Sequence, residues 1–75
     1  MSQLEKLIEK MLIAKADIRF ADFEKVLLYA GYTKVRQKGS HAHFRKPDAP
    51  FLTIPIHNGK VKIVYVKEAM KMINL

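Results

Sequence analysis

The chain contains no cysteine, so neither a disulfide framework nor a thiolate metal site can supplement its core. Glycine and proline are scarce, three of each, and with 49% hydrophobic residues this excludes a disordered segment. Long apolar runs are missing: stretches such as 26–30 fall far short of a membrane span. The first residues, among them Ser2, Gln3 and Glu5, lack a signal-peptide pattern, so a cytoplasmic location is the expectation. Acids are nearly absent from one stretch only. Residues 34–62 carry seven Lys/Arg against Asp48 alone, whereas residues 1–33 carry five bases and five acids. The formal net charge of +7 therefore gathers in the middle of the chain. Charge concentrated in this way suits a polyanion such as nucleic acid, or an acidic protein partner. The plainer alternative is a solvated basic surface that aids solubility.

What is present reads as one small domain, 1–75, with a thin core. Leu4, Leu7, Ile8, Met11 and Leu12 recur at helical spacing and predict an amphipathic helix over 2–14 capped by Ser2. Its like-charged pairs, Glu5–Glu9 and Lys6–Lys10, give little support, so burial of the apolar stripe must carry it. Ala16-Asp17-Ile18 reads as a connection. Phe23, Val26, Leu27 and Ala30 then predict a second helix over 20–30, stopped by Gly31. No Ser or Thr stands at its start, which leaves Asp17 or Asp22 to contribute there.

Three strands follow. Residues 32–38 alternate so as to put Lys34, Arg36 and Lys38 on one side, and Gly39-Ser40 makes a tight turn into a second strand over 41–46. After the turn at 47–50, a third strand over 51–56 has Leu52, Ile54 and Ile56 on its apolar face and Thr53, Pro55 and His57 on the other. Pro55 predicts an edge position or a strand end. Asn58-Gly59 signals another turn. Val66, Ala69, Met70 and Ile73 predict a last helix from about Val64, with Lys67, Glu68, Lys71 and Asn74 outside. The order is α-α-β-β-β-α, an α+β fold whose three-stranded antiparallel sheet packs on helices and buries Phe44, Leu52, Ile54 and Val35.

The chemistry concentrates in Gly39-Ser40-His41-Ala42-His43-Phe44-Arg45. Side chains two apart in a strand point the same way, so His41, His43 and Arg45 share a face with the neighbouring bases. RNA cleavage by internal transesterification needs a base for the 2′-hydroxyl, an acid for the leaving 5′-oxygen and cations for the phosphate. Histidine can serve as either near neutral pH, and Lys and Arg supply the charge. His41 also reads as a turn residue bonded to backbone, His43 as a polar strand residue, and His57 as a structural residue at a strand end. A His-x-His pair with His57 has the ligand type for a metal, but no acid lies close in sequence to complete that site. No metal or cofactor is therefore expected.

Gly39-Ser40-His41, an aromatic strand residue, a Pro-Asp turn and Leu52-Thr53-Ile54-Pro55-Ile56-His57 together resemble the HicA family of toxin mRNA interferases. So do Asn58-Gly59-Lys60-Val61-Lys62 before Tyr65-Val66-Lys67, and Arg19-Phe20 with Leu27, Gly31 and Tyr32. The likeness spans roughly 18–74 and leaves the first helix outside. It implies a fold similar to the double-stranded-RNA-binding domain and a ribonuclease that cuts messenger RNA, checked by a HicB-type antitoxin. It puts the catalytic histidine on His41, with Gly39 and Ser40 shaping the turn that exposes it. His43 and His57 are candidate assistants. Lys34, Arg36, Lys38, Ser40, Arg45, Lys60 and Lys62 are the candidates for holding RNA phosphates. The competing expectation is an RNA-binding module of the same fold that grips by shape and phosphate contacts without cutting. Neither reading involves a membrane, and oligomeric state is not encoded in any pattern found.

Overall fold

Each apolar stripe buries one side of a helix, and the strand alternation lays a sheet beneath them. The computed structural model describes residues 3–73. Its elements are α1 (Gln3–Leu12), β1 (Ile18–Arg19), α2 (Phe20–Tyr29), β2 (Thr33–Lys38), β3 (His41–Arg45), β4 (Leu52–Pro55), β5 (Lys60–Val61) and α3 (Ile63–Ile73). β2, β3 and β4 form an antiparallel sheet in that order, with Pro55 on an edge strand as expected. The fold is α+β, in the order helix, helix, strands, helix. The expected Ser2 cap and the outward Asn74 lie outside the described residues.

The core takes Phe23, Val26 and Leu27 from α2, Val66, Ala69, Met70 and Ile73 from α3, and Met11 from α1. The sheet contributes Ala42, Phe44, Leu52 and Ile54. Phe23 and Phe44 are fully buried, and aromatic rings supply the largest apolar area per residue. Of the α1 stripe, Leu12 is exposed: the helix ends there, two residues earlier than its spacing predicts.

β1 and β5 lie outside the sequence expectation. They pair antiparallel, Ile18 opposite Val61 and Arg19 opposite Lys60, and both apolar partners are buried. This two-residue ladder sets Asp17 beside the start of α3, where its Oδ1 accepts a hydrogen bond from the Ile63 amide at 3.1 Å. Asp17 therefore caps α3 rather than α2. The first amide of α2, on Phe20, instead donates to the Gly59 carbonyl at 2.9 Å. At its other end α2 closes with the Tyr32 amide on the Leu27 carbonyl and the Gly31 amide on the Leu28 carbonyl. That is the paired Schellman arrangement, and Gly31 takes the left-handed φ of 98° it requires.

One departure redirects two side chains. The register of β2 on β3 slips between Lys34, opposite Phe44, and Arg36, opposite His43, leaving Val35 as an extra residue. Directly opposed residues share a face. Lys34 thus joins Phe44 on the helix side, with Nζ 3.1 Å from Glu24 Oε2 and 5.8 Å from the Phe20 ring centre. It does not share a side with Arg36 and Lys38, and Val35 is 51% exposed rather than buried.

Candidate active site

The helices cover one face of the sheet and leave the other open. Cross-strand pairing arranges that open face in rows: Thr33 with Arg45, then Arg36, His43 and Thr53, then Lys38, His41 and Pro55. Burial along β3 alternates accordingly, with His41 and Arg45 exposed, Ala42 and Phe44 buried, and His43 half-buried between them. Three positive side chains, Arg36, Lys38 and Arg45, and two imidazoles therefore meet on one surface. Charge gathered on a single face produces the kind of field that draws in a polyanion.

The Gly39-Ser40 turn joins Lys38 to His41. Gly39 has a φ of 59° at the first central position, which a side chain would resist and which the hairpin's twist demands. The Ile56 amide donates to the Ser40 carbonyl at 2.6 Å, tying the exit of β4 to this turn. Beyond it, His57 and Lys60 exchange two backbone hydrogen bonds, 2.8 and 2.9 Å, around Asn58-Gly59, with Asn58 at a φ of 53°. This second turn leaves a cleft of about 220 Å³ lined by Ser40, Pro55, Ile56, His57, Lys62 and Tyr65. Pro55 stands directly across from His41, so the cleft adjoins the end of the open face where His41 sits.

The three histidines differ in how they are held. His43 is fixed: Nδ1 is 3.2 Å from the Thr53 hydroxyl oxygen, and its ring stacks on Phe51 with centres 5.7 Å apart and planes at 29°. His41 is exposed, and its side chain makes no hydrogen bond, ion pair or ring contact among the described residues. His57 is exposed at the cleft.

The structure thus brings together Arg36, Lys38, His41, His43 and Arg45, and beside them Ser40, His57 and Lys62. Lys34 is turned away, and Lys60 sits in the small ladder opposite Arg19, not on the three-stranded sheet. Among the described residues, no group of three or more His, Asp or Glu side chains converges as a set of metal ligands. None of the described helices is long and apolar enough to cross a membrane. Tyr65 and Phe51 were given no role by the sequence patterns. Tyr65 lies three residues after Lys62, a spacing that puts both on one helical side. Phe51 precedes β4 by one residue, so the alternation that exposes Thr53 also exposes it.

Fold and open face together define a small α+β protein that presents basic and histidine side chains on an uncovered sheet. The family model described as the HicA toxin of bacterial toxin-antitoxin systems matches residues 20–75, about three quarters of the chain. The chain belongs to the HicA toxin family. The match begins at the first residue of α2, so α1 and β1 precede it. Comparisons with curated proteins and with solved structures gave no match.

Proposed function

We propose that this toxin is an endoribonuclease that cleaves messenger RNA by internal transesterification, with His41 as general base or acid. The observation that carries this reading is the position of His41. It is exposed at the end of a basic face, opposite Lys38, and it adjoins a cleft that holds His57 and Lys62. An RNA strand lying along the face and past the cleft would set a phosphate between the imidazoles of His41 and His57. One takes the 2′-hydroxyl proton, the 2′-oxygen attacks phosphorus, and the other donates a proton to the 5′-oxygen as its bond to phosphorus breaks. The products are a 2′,3′-cyclic phosphate and a free 5′-hydroxyl. Lys38, Arg36 and Arg45 stabilise the phosphates, with Ser40, Lys62 and Lys60 extending the track. Lys34 has no part, since it faces Glu24. His43, already engaged by Thr53, supports rather than reacts. The chemistry calls for neither metal nor cofactor. Residues 1–75 act as one domain in the cytoplasm, and a HicB-type antitoxin neutralises it.

The test is RNA cleavage in the presence of a chelator by wild type and by His41→Ala, His43→Ala and His57→Ala. Loss of general acid–base help lowers the rate by about 10²–10⁴-fold, and His41→Ala is expected in that range with RNA binding retained. Native-rate cleavage by His41→Ala sinks the assignment. A second reading, a binding module that does not cut, draws support from the His41 side chain having no partner among the described residues to orient it. That protein would show salt-sensitive RNA affinity and no cleavage in any form.

A further inference from the structure

Phe51 has an environment that neither packing nor the proposed chemistry accounts for. It is 56% exposed, yet its ring is held in place by stacking on His43. His43 is itself anchored through Nδ1 to Thr53, so the two rings form a fixed pair rather than two loose side chains. The pair stands on the open sheet face among positive charges. Arg36 lies directly across from His43, and Arg45 is two residues along the same strand. An exposed aromatic surface flanked by cations matches the chemistry of a nucleotide, whose flat base stacks while its phosphates pair with Arg and Lys.

From this juxtaposition we propose that Phe51, backed by His43, is a stacking platform for one unpaired base of the RNA, and that the site takes single-stranded rather than duplex RNA. The proposal rests on the ribonuclease reading and deepens it. His41 and His43 are two residues apart on β3, about 7 Å along the strand, a span comparable to the reach of one nucleotide of extended RNA. The stacked base therefore neighbours the phosphate that His41 attends. Stacking is possible only for a base released from pairing, because a duplex offers no free ring face. This gives His43 a role that does not require proton transfer, and it gives Thr53 the role of positioning His43.

The experiment uses the full chain carrying His41→Ala, so that RNA is bound and not cut. Its affinity for a short single-stranded RNA and for the same length of duplex is measured by fluorescence anisotropy across a series of salt concentrations. Each measurement is repeated with Phe51→Ala and with Phe51→Trp added. Removing one base–aromatic stack weakens binding about tenfold. Phe51→Ala is expected to weaken single-strand binding by that factor, leave duplex binding unchanged and leave the salt slope unchanged; Phe51→Trp restores affinity. Removing a phosphate contact would reduce the slope instead. Equal single-strand affinity with Phe51 and with Phe51→Ala overturns the platform while leaving the ribonuclease reading intact. If Phe51→Ala weakens antitoxin binding and not RNA binding, the patch is a protein anchor and the proposal is wrong. If the parent binds no RNA in any form, the ribonuclease reading fails and the platform with it.

Discussion

The contact between Asp17 and the start of α3 joins residues 46 apart, and its removal has a calculable effect. α3 opens with its first amides unsatisfied by the helix itself, and the Ile63 amide is the one that Asp17 accepts at 3.1 Å. Removing such a cap costs about 1 kcal/mol, within a range of roughly 0.5–2. Part of this comes from the negative charge near the positive helix end, about 0.3–0.5 kcal/mol for an exposed group. For a domain of this size, 1 kcal/mol lowers the melting temperature by about 4–8 °C. Asp17→Ala should therefore melt several degrees below wild type. Asp17→Asn keeps an acceptor oxygen and loses only the charge, so its drop should be about a third as large. That smaller drop should shrink further in 1 M salt, where the screening length is only about 3 Å. Differential scanning calorimetry at two salt concentrations measures all three proteins, and amide exchange at Ile63 localises the effect. Lys62 and Tyr65 border the same turn, so its fraying also loosens one wall of the cleft. An Asp17→Ala protein that melts within a degree of wild type, or an Asp17→Asn protein as damaged as Asp17→Ala, would refute this capping role.

The register slip at Val35 divides the basic residues of β2 into two groups. Lys34→Ala is expected to leave RNA affinity and its salt slope unchanged, whereas Arg36→Ala and Lys38→Ala should each weaken binding and reduce the slope by about one contact's share. An equal loss from Lys34→Ala would show that the strand meets RNA with its other face. Gly31→Ala should destabilise the protein by about 1–2 kcal/mol in urea unfolding, the cost of a left-handed residue that carries a side chain. The new Cβ would also stand 3.3 Å from Lys46 Cε, a long flexible chain that can shift, so steric crowding adds little. A Gly31→Asn protein, whose side chain tolerates this backbone better, should recover part of the loss.

Much of this fold was legible because its elements are long enough to show a period. Val66, Ala69, Met70 and Ile73 sit on the buried side of α3, and Phe44, Leu52 and Ile54 lie beneath the helices, as their spacing predicts. The ladder of β1 and β5 was not legible, since two residues cannot display alternation. The bulge was hidden for the opposite reason. Thr33-Lys34-Val35-Arg36-Gln37-Lys38 alternates cleanly, and nothing local reveals that the strand needs one more residue than its partner to reach the Gly39-Ser40 turn. That hidden residue matters to the candidate site. A charge count over 34–62 treats Lys34 as equal to Arg36 and Lys38, yet Lys34 is neutralised by Glu24 on the far side of the sheet. The effective positive face is therefore smaller than the composition implies: Arg36 and Lys38 on β2 and Arg45 on β3. Phe51 enters the same surface by a relation that also spans strands. Its exposure follows from the alternation of β4, but its contact with His43 depends on the register that sets Thr53 opposite His43. The chemistry-bearing residue types were readable one by one. Which of them share one surface is a property of register, and a one-residue slip on β2 was enough to change it.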